Sequence, residues 1–166
     1  RLAAEHTRLF LGLRQEYGPP PPYESLWREG RILGEVTLAV TTVYSEAGFD
    51  PEGPWGPCDH LACELRFLAS LCQAEAEAGE QGEWEEAGWA RDRQAHFLDH
   101  HLLAWVPSYC RQLDTQAREP LYQALARTLS RVLSEDAREL QTRIANNNEA
   151  GRTPRLEEWS AKGVWA

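Results

Sequence analysis

The chain has almost no β-branched aliphatic residues: six Val and two Ile in 166 positions. Ala, Leu, Glu and Arg, with 21, 21, 20 and 16 copies, make up nearly half of it. That imbalance excludes a sheet-based fold and predicts an all-α, single-domain helical bundle. Lysine is scarce as well. Lys162 is the only one, so the 17 basic residues are 16 Arg and one Lys against 26 acidic residues, a net charge of −9. A surface of that sign does not track a nucleic-acid backbone. No apolar run approaches 18 residues, which excludes stable membrane insertion. Methionine is absent even from position 1, so the chain is expected to start downstream of its true beginning, and no targeting peptide is visible. The four cysteines, Cys58, Cys63, Cys72 and Cys110, include no CxxC pair. They read as small buried hydrophobes of a reducing, cytoplasmic compartment.

Helical periodicity and breakers divide what is there. A first helix is predicted from about Leu2 to Gln15, ended by Gly18 and Pro19 to Pro22. A short turn follows, anchored by Trp27, and then an extended stretch between Gly30 and Gly34. The next helix runs from Glu35 to Ala47, with Gly48 as its C-cap. A Pro/Gly loop follows, from Phe49 to Cys58. Asp59 occupies an N-cap position ahead of Leu61, Leu65, Leu68 and Leu71, the clearest helical pattern in the chain. Residues 75 to 86 hold six Glu and no basic residue, and with Gly79 and Gly82 they read as a fraying helix end and an exposed loop. A long helix is predicted over Trp84 to Trp105, kinked or restarted by Pro107. A last one opens at Glu119-Pro120 and ends near Asn146 to Asn148. Residues 1–148 are thus expected to form the helical domain, and 149–166 a tail docked through Trp159 and Trp165.

Few residue clusters point to chemistry. His96 and His100 share a helical face, but His101 lies about 100° away, so the three cannot converge on a metal. Cys58, Asp59, His60 and Cys63 offer no nucleophile with an oxyanion site. There is no phosphate loop. No catalytic residue, metal or cofactor is assigned. The seven Trp are more informative: Trp55 in its loop and Trp105 before the helix break suit either binding anchors or core.

Three groups of segments occur in order. The first is EHTRLFLG at 5–12 with PPYESLW at 21–27. The second is YSEAGF at 44–49 with PCDHLACELRFLASL at 57–71. The third is FLDHHLLAWVPSYCRQL at 97–113. The P-x-D-H…LxxEL and FLxxHLxxWxP patterns carry most of the weight. This set resembles the TorD/DmsD/NarJ family of redox-enzyme maturation chaperones. The resemblance implies a cytoplasmic, non-catalytic protein. Its partner would be the N-terminal, often twin-arginine, signal peptide of the apo catalytic subunit of a molybdopterin-containing oxidoreductase, held for cofactor insertion. It points to Pro57, Asp59, His60, Glu64, His101 and Trp105 as peptide-binding residues, with Tyr44, Phe49 and Trp55 as neighbours. Each also has a purely structural reading, with Asp59 as a helix cap and His60 as a strut between helices. The alternatives are a NarJ-like assembly factor for a non-exported enzyme and, in another class, a small metal-dependent enzyme using His96, His100 and acidic neighbours.

Overall fold

The computed structural model describes residues 1–10, 18–51, 53 and 56–149. Among the described residues seven α-helices follow in order: α1 (Leu2–Phe10), α2 (Glu24–Glu29), α3 (Glu35–Glu46), α4 (Leu61–Gln81), α5 (Trp84–Phe97), α6 (Leu103–Gln116) and α7 (Pro120–Glu149). A π-helical turn, Leu98–Leu102, joins α5 to α6. Among the described residues there is no strand, only one isolated antiparallel bridge between Tyr23 and His60. No helix among them is long and apolar enough to cross a membrane.

The core lies between α3, α4 and the α5–α6 rod. Tyr44, Phe67 and Phe97 meet there at ring separations of 4.8 Å and 4.7 Å. α7 closes one side by burying Tyr122, Ala126, Leu133 and Leu140, a single stripe at helical spacing. α1 is clipped on by charge. The Glu5 carboxylate accepts from Arg8 and from the Arg118 backbone N–H, while Arg8 also donates to the Gln116 carbonyl. The Arg8 guanidinium holds the Glu5 carboxyl down at about 2.

The α5–π–α6 rod positions two buried columns. Phe97, His101, Trp105 and Tyr109 form one; Leu98, Leu102, Val106 and Cys110 form the other. In a regular helix residues four apart drift by roughly 40° per step, so either column would leave the core within three steps. The π turn lengthens the hydrogen-bonded ring by one residue and cancels most of that drift.

Several expectations are corrected. The stretch between Gly30 and Gly34 is a series of bends, with Leu33 in the left-handed region at φ 63°. Pro107 does not restart a helix: it sits within α6, and a π turn precedes α6 at Leu98–Leu102. Residues 75 to 86 are not a frayed loop. α4 continues to Gln81, Gly82 turns the chain at φ 76°, and α5 begins at Trp84. Gly82 suits that turn because the left-handed conformation costs it nothing. Cys72 is exposed rather than buried; all four cysteines are free. The first helix is described only to Phe10, so its expected end at Gln15 lies outside the described residues, as do Trp55, Trp159 and Trp165.

Candidate peptide-binding site

The P-x-D-H motif is organised by the proline segment that precedes α2. Pro22 and Tyr23 run extended alongside Asp59 and His60. The Glu24 N–H donates to the Asp59 carbonyl (2.9 Å), and the Leu61 N–H donates to the Pro22 carbonyl (2.9 Å). This brings the N-termini of α2 and α4 together. Asp59 caps the helix across the gap and not its own: its Oδ2 accepts from the Ser25 N–H (2.9 Å). The cap of α4 is His60, whose Nδ1 accepts from the Ala62 N–H (3.1 Å). Asp59 as the α4 cap is therefore corrected, because its carboxylate reaches an orphan donor in a different helix. His60 uses its acceptor nitrogen here and is a neutral ring, and burial pushes its pKa down.

One turn into α4, Glu64 is fully buried and accepts from the Trp105 indole N–H (3.2 Å). Glu24, also fully buried, takes an N–H from His101 Nδ1 (2.9 Å) and another from Arg28. Arg28 also donates to the His100 carbonyl at the π turn (3.1 Å). Burial, and next the Glu24 carboxylate, push the Glu64 carboxyl well above its ordinary range. A neutral carboxyl there relieves like-charge repulsion that a dry site cannot screen. Ser25 Oγ, Asp59 Oδ1 and Glu64 Oε1 are buried without a hydrogen-bond partner among the described residues. Each such atom costs on the order of 1–3 kcal/mol, which makes this helix junction the least satisfied part of the interior.

The motif reaches a surface groove through His60. His60 lines an open groove of about 440 Å³ together with Phe10, Pro21, Tyr23, Leu65 and Tyr109. The Tyr23 ring meets His60 edge-on at 4.9 Å. Among the described residues no carboxylate lines the groove; its walls suit an apolar segment, with imidazole and phenol groups to fix its orientation.

The residues singled out by sequence therefore divide. Asp59, His60, Glu64, His101 and Trp105 meet at the α2–α4–α6 junction through Glu24 and Ser25, yet all but His60 are buried. His101 bonds Glu24, not His60, and Trp105 is a core residue 1% exposed. Tyr44 is buried too, its hydroxyl donating to the Cys58 carbonyl (3.2 Å). Phe49 is half-buried against Tyr44 and Phe67, and Pro57 is half-buried in the turn, its carbonyl accepting from the His60 N–H. Sequence reasoning missed Glu24 and Arg28, although Glu24 lies in the PPYESLW segment, and it missed the groove walls Phe10, Tyr23, Leu65 and Tyr109. His96 and His100 stack at the surface 4.0 Å apart. Among the described residues no group of three or more His, Cys, Asp and Glu gathers as metal ligands.

Comparison with known proteins fits this architecture. A family model described as nitrate reductase delta subunit matches residues 1–111, from α1 into α6. The TorD chaperone of Vibrio cholerae is 30% identical over 140 residues, covering 81% of this chain and 60% of that protein. The TorD chaperone of Aeromonas salmonicida is 31% identical over 139 residues, covering 82% and 59%. The selenate reductase assembly chaperone of Thauera selenatis is 45% identical over 56 residues, 34% of this chain and 28% of that one. The chain thus spans about 60% of the length of the TorD relatives. No solved structure matches it. The relatives are chaperones by name, not enzymes, and the family model's match runs through the helices that build the junction and groove: the chain belongs to the TorD/DmsD/NarJ family of redox-enzyme maturation chaperones.

Proposed function

We propose that this chain is a cytoplasmic, non-catalytic chaperone for the apo catalytic subunit of a molybdopterin-containing oxidoreductase. It binds that subunit's N-terminal, twin-arginine signal and holds it while the cofactor is inserted, before export or assembly. The observation that carries this reading is the apolar groove into which His60 of the P-x-D-H motif opens. The apolar part of a leader fills the groove. The His60 ring, with Nδ1 committed to the α4 cap, keeps its proton on Nε2 and offers it to a peptide carbonyl. The buried residues Asp59, Glu64, His101 and Trp105 are positioning residues in this account: they fix the two helix ends that form the groove floor.

The match to the nitrate reductase delta subunit model favours a second reading. In it the same groove takes the N-terminus of a non-exported enzyme and plays no part in transport. Calorimetric titration with a peptide carrying a twin-arginine leader of a molybdopterin-containing oxidoreductase tests both. Leu65→Asp, at the groove wall, should weaken binding by about tenfold or more, equivalent to about 1.4 kcal/mol, measured at a temperature where the variant is folded. Unaltered affinity in that variant would remove the groove from the account. Replacing the arginine pair of the peptide by glutamine separates the two readings: binding that survives fits the non-exported client.

A further inference from the structure

One ring of His60 serves two structures. Its Nδ1 caps α4 by accepting from the Ala62 N–H (3.1 Å). The ring also lines the groove beside Leu61 and Ala62, the first two residues of that helix. The capped turn and this part of the groove wall are therefore one piece of structure. Helix caps are usually Ser, Thr, Asp or Asn, whose oxygens remain acceptors across the neutral range. An imidazole does not. Protonation turns Nδ1 from an acceptor into a donor. It also places a positive charge against helix N–H groups whose dipole favours a negative one.

A second acceptor sits on the preceding residue. Asp59 Oδ2 is committed to the Ser25 N–H, whereas Asp59 Oδ1 is buried and has no partner among the described residues. The other titratable groups around the ring offer no comparable acceptor. Tyr23 meets it edge-on, His6 and Tyr109 line the same groove, and Glu64, one turn into α4, faces the Trp105 indole. No Arg or Lys lines the groove among the described residues. Burial pushes the His60 pKa down from 6.5, against the pull of Asp59. The capped form is thus the one present at neutral pH, and its contribution is lost as pH falls below 6.5. We propose that His60 is an acid-sensitive latch: once protonated, its Nδ1 leaves the Ala62 N–H and donates to Asp59 Oδ1, which uncaps α4 and disturbs the groove. Resting on the peptide-binding reading of that groove, the latch also sets release: an imidazolium in a wall without carboxylates repels a twin-arginine leader.

The latch is tested by NMR on the full chain between pH 8 and pH 5, following the His60 ring and the Ala62 amide. The Ala62 amide proton should shift upfield, as its hydrogen bond is lost, with the same midpoint as the His60 ring. In His60→Asn, whose side chain keeps an acceptor at every pH, the Ala62 amide should stay constant. An Ala62 amide that ignores the His60 titration overturns the proposal. So does one that still titrates in His60→Asn. Calorimetric titration with the leader peptide reads the link to binding. Affinity should weaken by about tenfold from pH 7.5 to pH 5 in the wild type, and by much less in His60→Asn. Equal weakening in both overturns the release step. An Ala62 amide that titrates as expected in a chain that binds no peptide at any pH supports the latch and removes the peptide-binding reading instead.

Discussion

Glu64 and Glu75 lie on one helix, three turns apart, and both are buried, yet the protein handles them in opposite ways. Glu75 is surrounded by donors, taking hydrogen bonds from Arg91, Arg143 and Gln94, and it ties α4 to α5 and α7. Glu64 has a single indole donor, a second carboxylate beside it and an oxygen without a partner. A buried carboxylate survives either by being paired or by giving up its charge. The hairpin end of α4 uses the first solution and the motif end uses the second. The second leaves an unpartnered carboxyl oxygen one turn from His60, the motif residue that opens into the groove.

The largest effect should come from removing the donor at the motif end. Trp105→Ala empties a fully enclosed site and strips Glu64 of its indole donor, so a loss of about 3–5 kcal/mol is expected in chemical denaturation. Glu75→Ala should cost less, about 2 kcal/mol. It leaves Arg91 and Arg143 facing one another, but Arg143 is partly solvated and can turn to water. If the order of these two losses were reversed, the hairpin end and not the motif end would be the critical half of the core.

The smallest effect is the most diagnostic. The Glu64 carboxyl titrates above its unfolded value of 4.5, so the folded chain holds an extra proton between those two points. Its stability therefore falls as pH rises through that window. Glu64→Gln cannot lose a proton, so its melting temperature should fall less between pH 5 and pH 8 than that of the wild type. The slope on the acid side should persist in the variant. Glu5 has the opposite sign: its contribution is present above 4.5 and is lost as pH falls toward about 2. Parallel wild-type and Glu64→Gln profiles above pH 5 would show that Glu64 is ionised in the folded protein.

The helices were legible because their apolar residues recur at fixed spacing and Gly or Pro marks several of their ends. Leu61 to Leu71 and Pro120 onward could be read from periodicity alone. The site was legible as a set of residues but not as an arrangement. An Asp before an apolar run looks like the cap of the helix that follows, and only tertiary structure reveals that its carboxylate serves Ser25, 34 positions away in sequence. Glu24 was invisible for a related reason: among 20 glutamates, nothing local separates one buried against His101 from one in solvent. The run at 75 to 86 was misjudged because charge density hides the two arginines that neutralise Glu75, one on α5 and one on α7.

The π turn at Leu98–Leu102 has a consequence for how this protein can vary. Deleting one residue from the α-helical part of the rod just after it, at Leu103 or Ala104, would leave the π turn in place and rotate everything downstream to Gln116 by roughly 100°. Trp105 would swing away from Glu64 and Tyr109 away from the groove. The rod tolerates substitution far better than a change of length, so the spacing between its histidine and its tryptophan acts as a reading frame for the whole junction.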